Sequence, residues 1–214
     1  MTTAHPTTPN EAWAELSRGN ARFAADAAER PHADAEQRRL VSTGQRPFAV
    51  VLGCSDSRVA AELVFDRGLG DLFVVRTAGH ALDTAVLGSV EFAVEVLEVP
   101  LLVVLGHDSC GAVSAALRAR HEGQVPGGFV RDIVERVTTS VLAAEHRGAT
   151  TVDDIVREHV GSTARQLLER SEAVRTAVDA GRLGVIGTYY TLADGVVEPL
   201  WWQGPGDLVD AGQD

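Results

Sequence analysis

Pro100-Leu101-Leu102-Val103-Val104-Leu105-Gly106-His107-Asp108-Ser109-Cys110 decides how this chain folds. An unbroken apolar run between proline and glycine is too short for a membrane span. It suits an interior strand of a parallel sheet, buried on both faces. A second stretch repeats the pattern: Pro47-Phe48-Ala49-Val50-Val51-Leu52-Gly53-Cys54-Ser55-Asp56-Ser57-Arg58. Each run delivers metal-capable side chains at its carboxyl end, where open α/β sheets place their ligands.

Working outward, strands are expected over 48–53, 71–76 and 101–106. Val86, Val90, Val94 and Leu97 recur at helical spacing between the last two, so a helix between 82 and 99 makes a βαβ crossover. Residues 111–122, 128–147 and 151–180 read as helices, with Gly181 as C-cap of the last. A fourth strand, 183–189, leads through Asp194-Gly195 to 196–200. That dipeptide signals a hairpin, so the last strand is expected to be an antiparallel sheet edge. Trp201 and Trp202 close it, in edge packing or a subunit contact. Residues 1–10 read as a disordered lead-in and 11–214 as a single domain. Asn10 is expected to cap an N-terminal helical arm that has few core partners of its own and packs on a neighbouring subunit. The fold class is therefore α/β, a mostly parallel sheet with an antiparallel edge strand and an N-terminal helical arm.

Composition narrows the functions. The net charge of −11 argues against nucleic acid or an anionic membrane surface as partner. All 19 basic residues are arginine, which excludes lysine Schiff bases and a phosphate-binding loop ending in Gly-Lys-Ser/Thr. No run approaches the roughly 20 apolar residues of a membrane helix, and the N-terminus lacks a signal-peptide core. The chain reads as cytoplasmic, where two cysteines are expected as ligands or catalytic groups rather than as a disulfide.

Cys54, His107 and Cys110 are three ligands of the kind zinc favours, and Asp56 is the one strong fourth within the motifs. Asp56 either closes a structural site or leaves the fourth position to water, which would make the site catalytic. A bidentate ion pair with Arg58 would hold Asp56 off the metal, where its carboxylate could orient the fourth ligand. Taken singly, Cys54 and Cys110 could be small buried hydrophobes, and Asp56 and Arg58 a turn with a surface ion pair. Their placement on twin strand ends with His107 favours the metal.

Cys54-Ser55-Asp56-Ser57-Arg58 together with Gly106-His107-Asp108-Ser109-Cys110-Gly111 resembles the β-class carbonic anhydrases. The likeness extends to Gly70-Asp71-Leu72-Phe73-Val74-Val75-Arg76-Thr77-Ala78-Gly79 and to Gly19-Asn20-Ala21-Arg22-Phe23, covering about residues 11–201. It implies a parallel sheet flanked by helices, and a homodimer or homotetramer with active sites at the subunit interface. The implied reaction is reversible hydration of carbon dioxide to bicarbonate at Zn2+, with Asp56 and Arg58 catalytic. It also implies substrate contacts from Gln45, Phe73, Phe92 and Gly111. Phe92 falls where some relatives carry tyrosine; Thr77 and His80 replace common asparagines.

Read without the family, Gln45 is a loop residue and Phe73 and Phe92 are core. His80 is structural, with a role in proton export as its functional alternative. His5, His32, His121, His146 and His159 are expected to be solvated. Two other functions fit the motifs: hydrolysis of carbon disulfide or carbonyl sulfide, and a non-catalytic zinc module. The second would be expected to have lost Gln45, Asp56 or Arg58, and all three are present.

Overall fold

The computed structural model describes residues 5–208. All of β1 (Ala49–Cys54) and β3 (Leu101–His107) is buried, and the two pair in parallel with Ala49 opposite Leu101. With β2 (Leu72–Thr77), β4 (Gly184–Tyr190) and β5 (Val197–Gln203) they form one sheet in the order β2-β1-β3-β4-β5. Every pairing is parallel except β4 with β5, which is antiparallel as expected at the edge. Gly195, in the left-handed region at φ 72°, turns the chain between them.

Side-chain alternation splits the central strands between two cores. Val50, Leu52, Leu102 and Val104 face α4 (Thr84–Glu95), α5 (Gly111–Glu122), α6 (Gly128–His146), α7 (Val152–Arg170) and α8 (Glu172–Asp179). Ala49, Val51, Leu101, Val103 and Leu105 face α1 (Pro9–Ala24) and α3 (Ala61–Val64). Covered on both sides, these strands have no polar face, which explains their unbroken apolar sequence. A further short helix, α2 (Ala35–Leu40), lies before β1 and buries none of its residues.

Four sequence expectations change. The first helix begins at Pro9, and Thr8 rather than Asn10 is its N-cap. The Thr8 hydroxyl accepts from the Glu11 amide at 3.3 Å, and the Glu11 carboxylate accepts from the Thr8 amide at 3.1 Å. Proline suits the first helical position because it has no N–H to lose there. Residues 1–4 lie outside the described residues.

The α1 arm also has core partners in its own chain. Trp13 and Leu16 are buried against Phe48, Val64 and Phe65. Asn20 donates to the carbonyls of Val64 at 3.0 Å and Gly195 at 2.8 Å, and accepts from the Val197 amide at 2.8 Å. Arg22 pairs with the enclosed Asp66 at 2.6 Å.

The helix expected over 151–180 is two helices. Ser171 ends α7 in an extended conformation, caps α8 through the Val174 amide at 3.2 Å, and donates to Glu91 at 2.7 Å. Finally, His159 is not solvated: it is 3% exposed, on the inner face of α7. His5, His32, His121 and His146 are exposed as expected.

Candidate metal centre

Because β1 and β3 are adjacent and parallel, their carboxyl ends emerge side by side, Cys54 on one and His107 on the other. Beyond His107 the chain reverses through Ser109, at φ 54°, and Cys110 stands as the N-cap residue of α5. The turn is pinned: the Asp108 amide donates to Tyr190 O at 3.2 Å, its carboxylate accepts from the Leu192 amide at 2.7 Å, and the Ser109 amide donates to Asp153 at 3.2 Å. One ligand atom from each of Cys54, His107 and Cys110 lies within 4.8 Å of the other two, and all three residues are buried.

The donor set fits a tetrahedral zinc. His107 Nδ1 lies 2.8 Å from the Asp108 carbonyl, which can only accept, so Nδ1 carries the proton. The lone pair is then on Nε2, which is buried without a partner and aimed for a cation. The Gly79 amide donates to Cys54 Sγ at 3.3 Å. The neighbouring Cys110, together with the donating Gly79 amide, lowers the Cys54 thiol. The same pairing and burial raise Cys110. Burial opposes charge on His107, but the adjacent Cys54 sulfur outweighs it and raises its pKa. Near neutrality the cluster therefore retains a proton that a metal must displace.

Asp56 is not among the converging ligands. Its carboxylate takes both arms of Arg58, Nε to Oδ1 at 2.9 Å and Nη2 to Oδ2 at 2.7 Å, with the Arg58 amide also on Oδ1 at 2.9 Å. This fork holds Asp56 well below the usual carboxylate range. Arg76, to which the sequence reading gave no role, secures the segment from β2. Its Nε donates to Cys54 O at 2.9 Å and its Nη2 to Asp56 O at 2.7 Å. The signal for it was the parallel register, which sets Arg76 opposite Gly53.

Other expected site residues stand apart. Gln45 is exposed in the loop before β1. Phe73 pairs with Val50, four residues back from Cys54, which at strand rise is about 13 Å from the ligands. Phe92 on α4 is 44% exposed and packs on Phe73, ring centroids 6.0 Å apart. The two rings thus meet each other but not the ligands of their own chain. Gly111 follows Cys110 directly, and a Cβ there would meet open space. His80 is sealed in: it is 1% exposed and stacks on His159 at 4.3 Å. Burial, with the neighbouring His159 and His107, pushes its pKa well below the usual value. Burial thus favours its neutral form.

An open, mostly parallel sheet with a buried Cys–His–Cys cluster at its strand ends defines an α/β protein whose cluster could hold a metal ion through thiolate and imidazole ligands. The family model described as "Carbonic anhydrase" matches residues 49–197. The chain is 57% identical over 190 residues to a carbonic anhydrase of Mycolicibacterium smegmatis, covering 89% of this chain and 92% of that one. It is 53% identical over 189 residues to carbonic anhydrase 2 of Mycobacterium tuberculosis, covering 88% and 91%. Among solved structures it resembles the Coccomyxa β-carbonic anhydrase in complex with acetazolamide, at 27% identity and TM-score 0.69, over 86% of this chain and 84% of that one. One of two tetrameric β-carbonic anhydrases from Sordaria macrospora aligns at 26% identity and TM-score 0.70, over 88% and 96%. The chain belongs to the β-class carbonic anhydrases, enzymes whose general reaction is the hydration of carbon dioxide. Among the described residues, no helix is long and apolar enough to cross a membrane.

Proposed function

We propose that this chain is a zinc-dependent carbonic anhydrase, with Cys54, His107 and Cys110 holding the ion and Asp56 with Arg58 positioning the nucleophile. The observation that carries the reading is the split in the motif: three donors converge within 4.8 Å while the nearby carboxylate is engaged by Arg58. That leaves a fourth tetrahedral position for catalysis. Held by Cys54, His107 and Cys110, zinc would supply a Lewis acid that brings the pKa of water to about 7, a magnitude known from carbonic anhydrases with three-histidine sites.

The chain's own groups do the rest. His107 presents Nε2 because Nδ1–H is spent on Asp108. The Asp56 carboxylate, ionised throughout the working range, accepts a proton-bearing oxygen's hydrogen bond and so turns that oxygen's lone pair toward carbon dioxide. Two anionic thiolates soften the metal relative to three imidazoles, so activity is expected to favour alkaline pH.

The working unit is a homo-oligomer, a dimer or tetramer, with Gln45, Phe73 and Phe92 lining the site of a neighbouring copy. The separation of Phe73 from Cys54 along the sheet and the exposure of Gln45 and Phe92 favour that arrangement. Two free cysteines suit a cytoplasmic location. Stopped-flow carbon dioxide hydration on protein of known zinc content tests the proposal. Fast turnover lost in Cys54→Ser supports it; no turnover with one zinc per chain would overturn it.

A further inference from the structure

Beside the cluster, a tight turn is made by Gly79 and His80. Both adopt left-handed backbone, at φ 62° and φ 40°. Glycine is at ease there; histidine is not, so surrounding contacts must impose the conformation. A Cβ on Gly79 would come within 2.7 Å of Ala112 Cβ, so α5 also packs hard against this turn. The turn has a direct consequence at the metal centre, because the Gly79 amide is the group that donates to Cys54 Sγ.

His159 grips this turn from α7. Its Nε2 lies 2.8 Å from the Gly79 carbonyl, and its ring stacks on His80 at 4.3 Å. Since a carbonyl only accepts, Nε2 carries the hydrogen, and Nδ1 accepts from the Ser140 hydroxyl at 2.8 Å. Ser140 is itself fully buried on α6, so the imidazole is fixed in both tautomer and direction. Burial favours the neutral ring that this pattern requires. A side-chain bond from Thr77 Oγ1 to Ala81 O at 2.9 Å also spans the turn, without touching Gly79.

From this chain of contacts we infer that His159 is a positioning residue for the metal. With Ser140 it locks the Gly79–His80 turn so that the Gly79 amide is aimed at the Cys54 thiolate. Outer hydrogen bonds of this kind tune how strongly a ligand donates and how well it is organised for the ion. His159 touches neither substrate nor metal; it acts through Gly79. The inference rests on the zinc reading above.

The test uses the metal itself. Zinc affinity is measured by chelator competition, and the cobalt-substituted protein is read by its thiolate-to-cobalt charge-transfer band. His159→Leu should bind zinc about tenfold more weakly, in line with the loss of an outer-shell partner. Its charge-transfer band should move to lower energy, because a thiolate without its N–H donor is the more electron-rich. His159→Gln, whose amide can donate to Gly79 and accept from Ser140, should restore both readouts. Ser140→Ala removes the orienting hydroxyl with little loss of packing and should shift both the same way, more weakly. It also serves if His159→Leu fails to fold. Wild-type affinity and band in His159→Leu would overturn the inference. So would equal impairment in the Leu and Gln variants, which would mean His159 only fills space. If wild-type protein itself shows no thiolate-to-cobalt band, the zinc reading has failed instead.

Discussion

Replacing Arg58 with alanine separates what positions the nucleophile from what holds the fold. Asp56 receives three hydrogen bonds from Arg58: two from the guanidinium, at 2.9 and 2.7 Å, and one from the backbone amide at 2.9 Å. Alanine keeps only the amide, which bonds one oxygen and leaves the carboxylate free to swing about it. A misplacement of about 1 Å in a positioning group can cost on the order of 100-fold in rate. Arg58→Ala is therefore expected to lose about 100-fold in kcat/KM for carbon dioxide hydration. The freed carboxylate also becomes able to take the fourth metal position. Stability should barely move, because the Arg58 side chain is 52% exposed and such ion pairs contribute little. Lysine, which cannot form the planar fork, should recover only part of the activity. The assay is stopped-flow hydration on preparations matched for zinc content, with a thermal melt of each. An Arg58→Ala enzyme within twofold of wild type at equal zinc would refute the positioning role.

Three other outcomes follow from the geometry. Asp66 accepts from the Glu29 and Arg30 amides and from Arg22; burial opposes its charge, but these bonds outweigh it and lower its pKa. A carboxylate lowered in the folded state stabilises the protein above its unfolded pKa and loses that contribution as pH falls through the folded value. Asp66→Asn should thus cost about 2 kcal/mol at pH 7, with urea melts of variant and wild type converging in strong acid; a gap independent of pH would contradict this. Gly106→Ala places a Cβ against Val160 and 3.2 Å from Val156, pressing α7 off the sheet. Overpacking of this kind costs roughly 1–3 kcal/mol, a fall of several degrees in melting temperature, and an unchanged melt would show the helix yields freely. Zinc binding at pH 7 should release at least one proton, because Cys110 and His107 are both raised in the metal-free cluster. Titration calorimetry in buffers of different ionisation enthalpy counts it, and zero protons released would be inconsistent with this cluster.

The parts of the molecule legible in the sequence are those governed by local pattern. Buried central strands read as apolar runs because both faces are covered, and their glycine-ended termini located Cys54, His107 and Cys110 before any geometry was known. The antiparallel edge was legible in Asp194-Gly195, and α5 in the residues after Cys110. Long-range partnership was not legible. His159 looked solvated among charged neighbours, but its partners Ser140 and Gly79 lie 19 and 80 residues away. Ser171 likewise has a distant partner in Glu91, 80 residues away, although its cap on the Val174 amide is local. The start of α1 is legible in Thr8 and Glu11, which form a capping box around Pro9, rather than in Asn10. The core partners of α1 are not legible, because Asn20, Arg22 and Asp66 look like surface residues until α1 and α3 are brought together.

X-ray absorption at the zinc edge of the purified protein at mildly alkaline pH tests the central claim most directly. The account predicts two sulfur scatterers at about 2.3 Å and two lighter ones at about 2.0 Å, one of them imidazole. Cys54→Ser should reduce the shell to a single sulfur. A zinc shell without sulfur, or protein that binds no zinc with both cysteines reduced, would contradict the account.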